Sequence, residues 1–217
     1  DTQTYTLSMT DASNCSASDS ITISVNPILN VDINDDTILC YGEQLQIVAD
    51  TSNRVGTPPY NYSWIPNTDI TDTAILEPLI NTTTSRTYYF TVIDSNSCEG
   101  KDTLNLTIND DLQVSINNDT TICYGQAVKV DADTSNRLGS PPYLYQWLPN
   151  YNIDNASIIE PTMTPLADTL YKLTITDSVG CIAEDSFKIY VEPEISLNLK
   201  TDTLICYGDT ISLDVSL

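Results

Sequence analysis

Cysteine is the most reactive side chain in this sequence, and its six copies are spaced by a rule. Cys15, Cys98 and Cys181 form one series and Cys40, Cys123 and Cys206 another, each with a step of 83 residues. No Cys-x-x-Cys pair occurs and the chain has no histidine, so the ligand spacing of a zinc site is missing. The chemistry left to these thiols is disulfide formation in an oxidising, extracellular setting. The alternative is a set of buried free thiols, and the turn-like contexts ICYG, SNSCEG and SVGCIA weigh against it.

The other groups suited to chemistry are carboxylates. Thirty acids against eight bases give a net charge of −22, a field that repels nucleic acid and anionic membrane surfaces. Acidic clusters at Asp35 and Asp36, Asp110 and Asp111, and Asp119 are weak calcium candidates, since calcium takes six to eight oxygen ligands. No EF-hand or nonapeptide calcium spacing accompanies them, so solvated turns are the better reading and no cofactor is expected. Without histidine, a Gly-x-Ser-x-Gly elbow or a phosphate-cradling glycine loop, the chain is expected to be no enzyme.

The elements that must position these groups are themselves repeated. Residues 50–67, DTSNRVGTPPYNYSWIPN, return as residues 133–150, DTSNRLGSPPYLYQWLPN, with 13 of 18 positions identical. A period this long makes each repeat a small domain and not a solenoid turn. The expected division is 1–26, the last strands of a preceding repeat; 27–109 and 110–192, two complete repeats; and 193–217, the first strands of a following one. A chain that opens mid-repeat is expected to be part of a longer protein.

Within each repeat apolar residues alternate with polar ones, as in Tyr88, Phe90, Val92 and then Leu104, Leu106, Ile108. No sustained helical period appears. About seven short strands per repeat, parted by Asn, Asp, Gly and Ser turns, predict an all-β chain of antiparallel sandwiches of immunoglobulin type, arranged end to end. Trp64 and Trp147 are the expected core anchors, with exposed stacking on a ligand as the alternative. Pro78 suits an edge or a bulge. Ile195, Leu197, Leu199, Ile211 and Leu213 are expected to point inward in the last fragment.

Spacing alone does not fix cysteine pairing. The Cys40 series precedes the second strand, and the Cys98 series sits in the turn between the last two. In such a sandwich those places lie at opposite ends, roughly 20 Å apart, whereas bonded cysteines need Cα atoms within about 7 Å. This favours a Cys40–Cys181 bond between neighbouring repeats. The rival keeps each bond inside a repeat, as Cys40–Cys98 and Cys123–Cys181.

The ordered elements DTxxCYG (119–125), PPYxYxW-x-P (141–149), TxYxxTxxDxxxC (169–181) and a closing DSxxIxV strand resemble the PKD-like repeats of Bacteroidota gliding-adhesin-type surface proteins. The resemblance covers both full repeats. It implies a large adhesin exported by the type IX system, displayed at the bacterial cell surface and serving adhesion or gliding motility. The partners it implies are neighbouring repeats of the same chain, surface polysaccharide or other copies in a filament. The acidic charge argues against nucleic acid, and with no apolar run long enough to span a bilayer no membrane insertion of this segment is expected. The insertion at 50–59 departs from the pattern and is a lateral-contact candidate. O-glycosylation at Asp-Ser/Thr triplets is implied too, with Ser20, Thr37, Thr73, Thr103, Thr120, Thr169, Ser178, Thr203 and Thr210 as the acceptors. A chain rich in Asp and Thr also produces such triplets by chance and as turn chemistry.

Two functions compete at this level. One is a structural stalk holding a distal binding region away from the cell. The other is a carbohydrate-binding array, or an accessory region of a polysaccharide-degrading enzyme, using the tyrosine-rich third strand and the loop of Arg54 and Arg137.

Overall fold

The computed structural model describes residues 2–26, 28–50, 55–133, 139–196 and 204–212. Arg54, Arg137, Leu197, Leu199, Thr203 and Leu213 lie outside that set. The described residues hold strands and turns with no helix, so none is long and apolar enough to cross a membrane. The chain divides into two compact units, Asp1–Asn109 and Asp110–Leu217.

The first unit opens with a hairpin, β1 (Gln3–Thr10) and β2 (Ser16–Ile23). The sandwich proper uses β3 (Thr37–Leu39), β4 (Leu45–Gln46), β5 (Asn61–Ile65), β6 (Leu79–Ile80), β7 (Arg86–Ile93) and β8 (Glu99–Ile108). One layer is the four-stranded sheet β3-β8-β7-β5, and β4 pairs with β6 in the other. Isolated bridges Asp32↔Asp50 and Ile70↔Ile80 extend the pairing. Alternation along β7 and β8 sends Tyr88, Phe90, Val92, Leu104 and Leu106 into the core, where each is essentially inaccessible. Trp64 meets Phe90 there at 4.5 Å between ring centroids, and Ile47 and Ile80 close the opposite side.

The second unit adds β9 (Ser115–Ile116), β10 (Thr120–Cys123), β11 (Val128–Lys129), β12 (Ala132–Asp133), β13 (Leu144–Leu148), β14 (Thr162–Met163), β15 (Thr169–Thr176) and β16 (Ile182–Glu192). Its large sheet runs β10-β16-β15-β13, the same order with the same partners. Trp147, Met163, Tyr171, Leu173 and Phe187 fill its core.

Two features differ from the sequence expectation. The sandwich is not wholly antiparallel: β3 runs parallel to β8, with Leu39 opposite Ile108, and β10 runs parallel to β16, with Cys123 opposite Glu192. The opening edge strand therefore travels beside the closing strand and in its direction. The strands of the smaller layer are also shorter than the alternation suggests, only two residues each in β4, β6, β11 and β14. Side-chain carboxylates and amides carry much of that layer's backbone bonding. Asn34 Oδ1 accepts from Val48 N at 2.7 Å, and Glu77 Oε1 accepts from Ala49 N at 3.1 Å. Pro78, expected at an edge or bulge, is buried beside β6 and accepts a hydrogen bond from Ile47 N.

The β1–β2 hairpin has the register of β7–β8, Gln3 opposite Ile23 where Arg86 stands opposite Leu106. Its apolar side chains Tyr5, Leu7, Met9, Ile21, Ile23 and Val25 are all exposed, and so are Ile195 and Ile211, which alternation placed inward but which no described neighbour covers.

Candidate functional site: the cysteine frames

Each cysteine of the first series closes a tight turn built by an aspartate four residues earlier. Asp94 Oδ1 accepts from Asn96 N and Cys98 N at 2.9 Å, while Asp94 N donates to Cys98 O at 3.1 Å. Asp11 holds Cys15 and Asp177 holds Cys181 in the same way, each cysteine N–H reaching the carboxylate at 2.9 Å. Positive φ at Asn14, Ser97 and Gly180 lets the chain reverse inside this turn.

The second oxygen of the aspartate reaches the inserted loop. Asp94 Oδ2 accepts from Thr57 N and Asp177 Oδ2 from Ser140 N, both at 3.0 Å. Ser95 N and Ser178 N return bonds to Thr57 O and Ser140 O. The Thr57 N–H, followed by those of Cys98 and Asn96, holds the Asp94 carboxyl below the usual carboxylate range. Both aspartates are only 4% exposed, so they are fully engaged carboxylates within the fold.

Loop packing explains the glycine beside this contact. A Cβ on Gly56 would come within 2.8 Å of Leu29 Cδ1, and one on Gly139 within 2.8 Å of Asp177 Oδ2. The Gly56 and Gly139 carbonyls accept from Tyr60 Oη and Tyr143 Oη. These tyrosine hydroxyls, which the carbohydrate-binding reading needs at the surface, are turned to the loop backbone. What is described of the insertion is therefore fastened to the cysteine turn of its own repeat.

The second series has its own frame. Cys40 N donates to Glu43 Oε2 at 3.0 Å, Cys123 N to Gln126 Oε1 at 3.1 Å and Cys206 N to Asp209 Oδ2 at 3.1 Å. In return the backbone N of residues 43, 126 and 209 donates to the cysteine carbonyl three residues back. Gly42, Gly125 and Gly208 take positive φ to make this turn.

Within a repeat the two frames are far apart. Cys98 stands just before β8 begins and Cys40 follows Leu39, which pairs with Ile108 at its end. About ten residues of extended strand at ~3.3 Å each separate them, roughly 30 Å, against the ~7 Å a disulfide tolerates. Cys40 and Cys181 are each disulfide-bonded, whereas Cys15, Cys98, Cys123 and Cys206 carry free thiols. The rival pairs Cys40–Cys98 and Cys123–Cys181 therefore do not form in this structure.

The other expected sites fall as follows. Trp64 and Trp147 are buried and donate through Nε1 to Ile75 O and Ile158 O at 3.0 and 2.9 Å, which leaves no stacking face for a ligand. Asp36 accepts from Asn105 N and Nδ2 at 2.8 and 2.9 Å. Those bonds, the side-chain one foremost, hold its carboxyl below the ordinary range. Asp119 Oδ1 accepts from Lys188 N and Asp111 Oδ2 from Gln113 Nε2, while Asp35 and Asp110 are exposed. Among the described residues no three acids or cysteines gather as a metal site.

Ser20, Thr103, Ser178 and Thr210 are exposed and Thr37, Thr73 and Thr120 partly so. Thr169 is buried and donates to Ala167 O, which withdraws it from the accessible acceptors. Sequence reasoning missed Asp11, Asp94 and Asp177 in the first series and the caps Glu43, Gln126 and Asp209 in the second, although the same step of 83 marks them.

No family model matches the sequence, and no curated protein does either. Solved structures do. The N-terminal eight Ig domains of Down syndrome cell adhesion molecule match with a TM-score of 0.53 at 14% identity, over 92% of this chain and 29% of that one. The fold is immunoglobulin-like. Extracellular domains 3–5 of Drosophila OTK match at TM-score 0.46 and 11% identity, over 88% of this chain and 71% of theirs. The insect immune protein hemolin matches at 0.41 and 12%, over 87% and 55%. At such identities the likeness concerns the fold alone, and this chain spans under a third of the first of these structures.

Proposed function

We propose that this chain is a non-catalytic structural segment, a stalk, of a large secreted adhesin or filament at the bacterial cell surface, of the gliding-adhesin type. The observation that carries the reading is the oxidation state of Cys40 and Cys181, one in each unit, while the four other cysteines are free. We read the two as one bond, a staple between successive repeats. An immunoglobulin-like fold recurring at a fixed period, an excess of carboxylates and a disulfide all suit a load-bearing molecule outside the cell. The long-strand sheet helps, because opposite ends of a repeat are joined by continuous backbone ladders.

Force spectroscopy on the chain held at its two termini tests this. The staple locks about 140 residues, so reduction should add roughly 500 Å to the final extension at up to ~3.6 Å per residue. An extension that reductant does not change would refute the staple. A glycan array that bound the oxidised chain tightly would move the reading to a binding module.

A further inference from the structure

Each cysteine frame occurs three times, and in each series one member is oxidised and two are not. Cys181 shares its aspartate-closed turn with Cys15 and Cys98, down to the 2.9 Å bond from the cysteine N–H. Cys40 shares its glycine turn and side-chain cap with Cys123 and Cys206. Backbone geometry thus presents the free thiols as it presents the oxidised ones. Cys15, Cys123 and Cys206 are exposed and Cys98 is partly so. The oxidised cysteines stand 141 positions apart, and no other turn-series and strand-end-series pair among the six has that separation.

We propose that the four free thiols are linkage points to further copies of this same repeat, and that they join by class. Cys15 and Cys98, of the turn series, take partners of the strand-end series, and Cys123 and Cys206 take partners of the turn series. The inference rests on the Cys40–Cys181 staple and extends it from one junction to a ladder. The partner repeat lies in a second molecule of this chain. Like-with-like bonds such as Cys98–Cys98 are excluded by the rule.

The oxidant is a disulfide donor of the glutathione class. A cysteine thiolate attacks oxidised glutathione, forming a mixed disulfide and releasing one glutathione thiolate. The partner thiolate then attacks the protein sulfur of the mixed disulfide and releases the second. Two protein thiols become one disulfide, the glutathione disulfide is reduced to two thiols, and the two protons leave with them.

The test is incubation of the 217-residue chain with oxidised glutathione, followed by non-reducing electrophoresis and peptide mapping. The expected products are covalent oligomers whose new cross-links connect only Cys15 or Cys98 with Cys123 or Cys206, with the Cys40–Cys181 peptide present throughout. A random mixture including Cys98–Cys98 and Cys123–Cys123, or a monomer retaining four titratable thiols, would overturn the pairing rule. Loss of the Cys40–Cys181 peptide would instead overturn the staple itself, so the two failures are told apart. The doubly substituted chain Cys15→Ser, Cys98→Ser should remain monomeric, because it has no turn-series thiol left to offer. Oligomers persisting in it would also sink the rule.

Discussion

The two repeats solve one packing problem with their large side chains exchanged. In the first, Phe90 on β7 and Leu104 on β8 share the core; in the second, Leu173 on β15 and Phe187 on β16 take those places. Each ring sits against its tryptophan, at 4.5 Å for Trp64–Phe90 and 6.3 Å for Trp147–Phe187, the latter edge-on. One phenyl and one isobutyl group thus fill each core from opposite strands, which keeps volume while changing shape. Polar surroundings differ as well. Arg86 bonds Asp69, Thr68 and Thr84 in the first repeat, where the second places Thr169, Asn152, Tyr151 and Ala167. Cβ space also differs: one on Gly100 would fall 2.4 Å from Leu29 O, yet the second repeat has Ala183 there. What recurs unchanged is the strand register, the tryptophan and the acid-held cysteine turns. The comparison teaches that backbone frames are specified tightly and core shape loosely.

The exchange can be broken directly. Phe90→Leu should leave a cavity and Leu104→Phe should overpack, each costing about 1–3 kcal/mol in denaturant unfolding. The double substitution converts the first core to the pattern of the second and should recover at least about 1 kcal/mol of that loss. Additive losses would mean that the two cores are not interchangeable. Fluorescence can follow this repeat alone in a Trp147→Phe background, since the chain has one tryptophan per repeat.

The shared cysteine turn gives the next effect. The Asp94 carboxyl is held below its ordinary value by the Thr57 N–H and its companions, so its folded pKa lies under its unfolded one. Its stabilisation is complete above the unfolded value near pH 4 and is lost as pH falls through the folded value. Asp94→Asn should therefore lower Tm at pH 7, with the gap to the unchanged protein closing below about pH 4. A gap constant from pH 7 to pH 3 would show that the carboxylate charge is not what holds the turn.

The smallest effect separates two buried phenols. Tyr171 Oη donates to Tyr151 O at 3.2 Å, whereas buried Tyr88 Oη has only a marginal interaction with the Thr82 side chain, short of hydrogen-bond geometry. Burial raises the pKa of both. Tyr171→Phe should cost about 0.5–1.5 kcal/mol, and Tyr88→Phe should be neutral or slightly stabilising. Equal losses in the two melts would contradict the asymmetry.

Much of this was legible in the chain. Alternation marked Tyr88, Phe90 and Val92 as inward because a strand's side-chain period is two, and the core confirms it. The same pattern on Tyr5, Leu7 and Met9 marked a face that the described residues leave exposed, since alternation says which side is apolar and not what covers it. The parallel edge β3–β8 was not legible, because strand direction at an edge depends on where a connection returns. Nor was the burial of Thr169, which neighbouring strands enforce.

By itself the sequence determined the period, the strand pattern, the two tryptophans and the matched classes of cysteine, all of which are readable from residue type and separation along the chain. Only tertiary structure decided which thiols are oxidised and which carboxylates are engaged. Those outcomes depend on distances in space: an extended ten-residue strand keeps Cys40 from Cys98, and a folded loop brings Thr57 to Asp94. A linear spacing leaves both open.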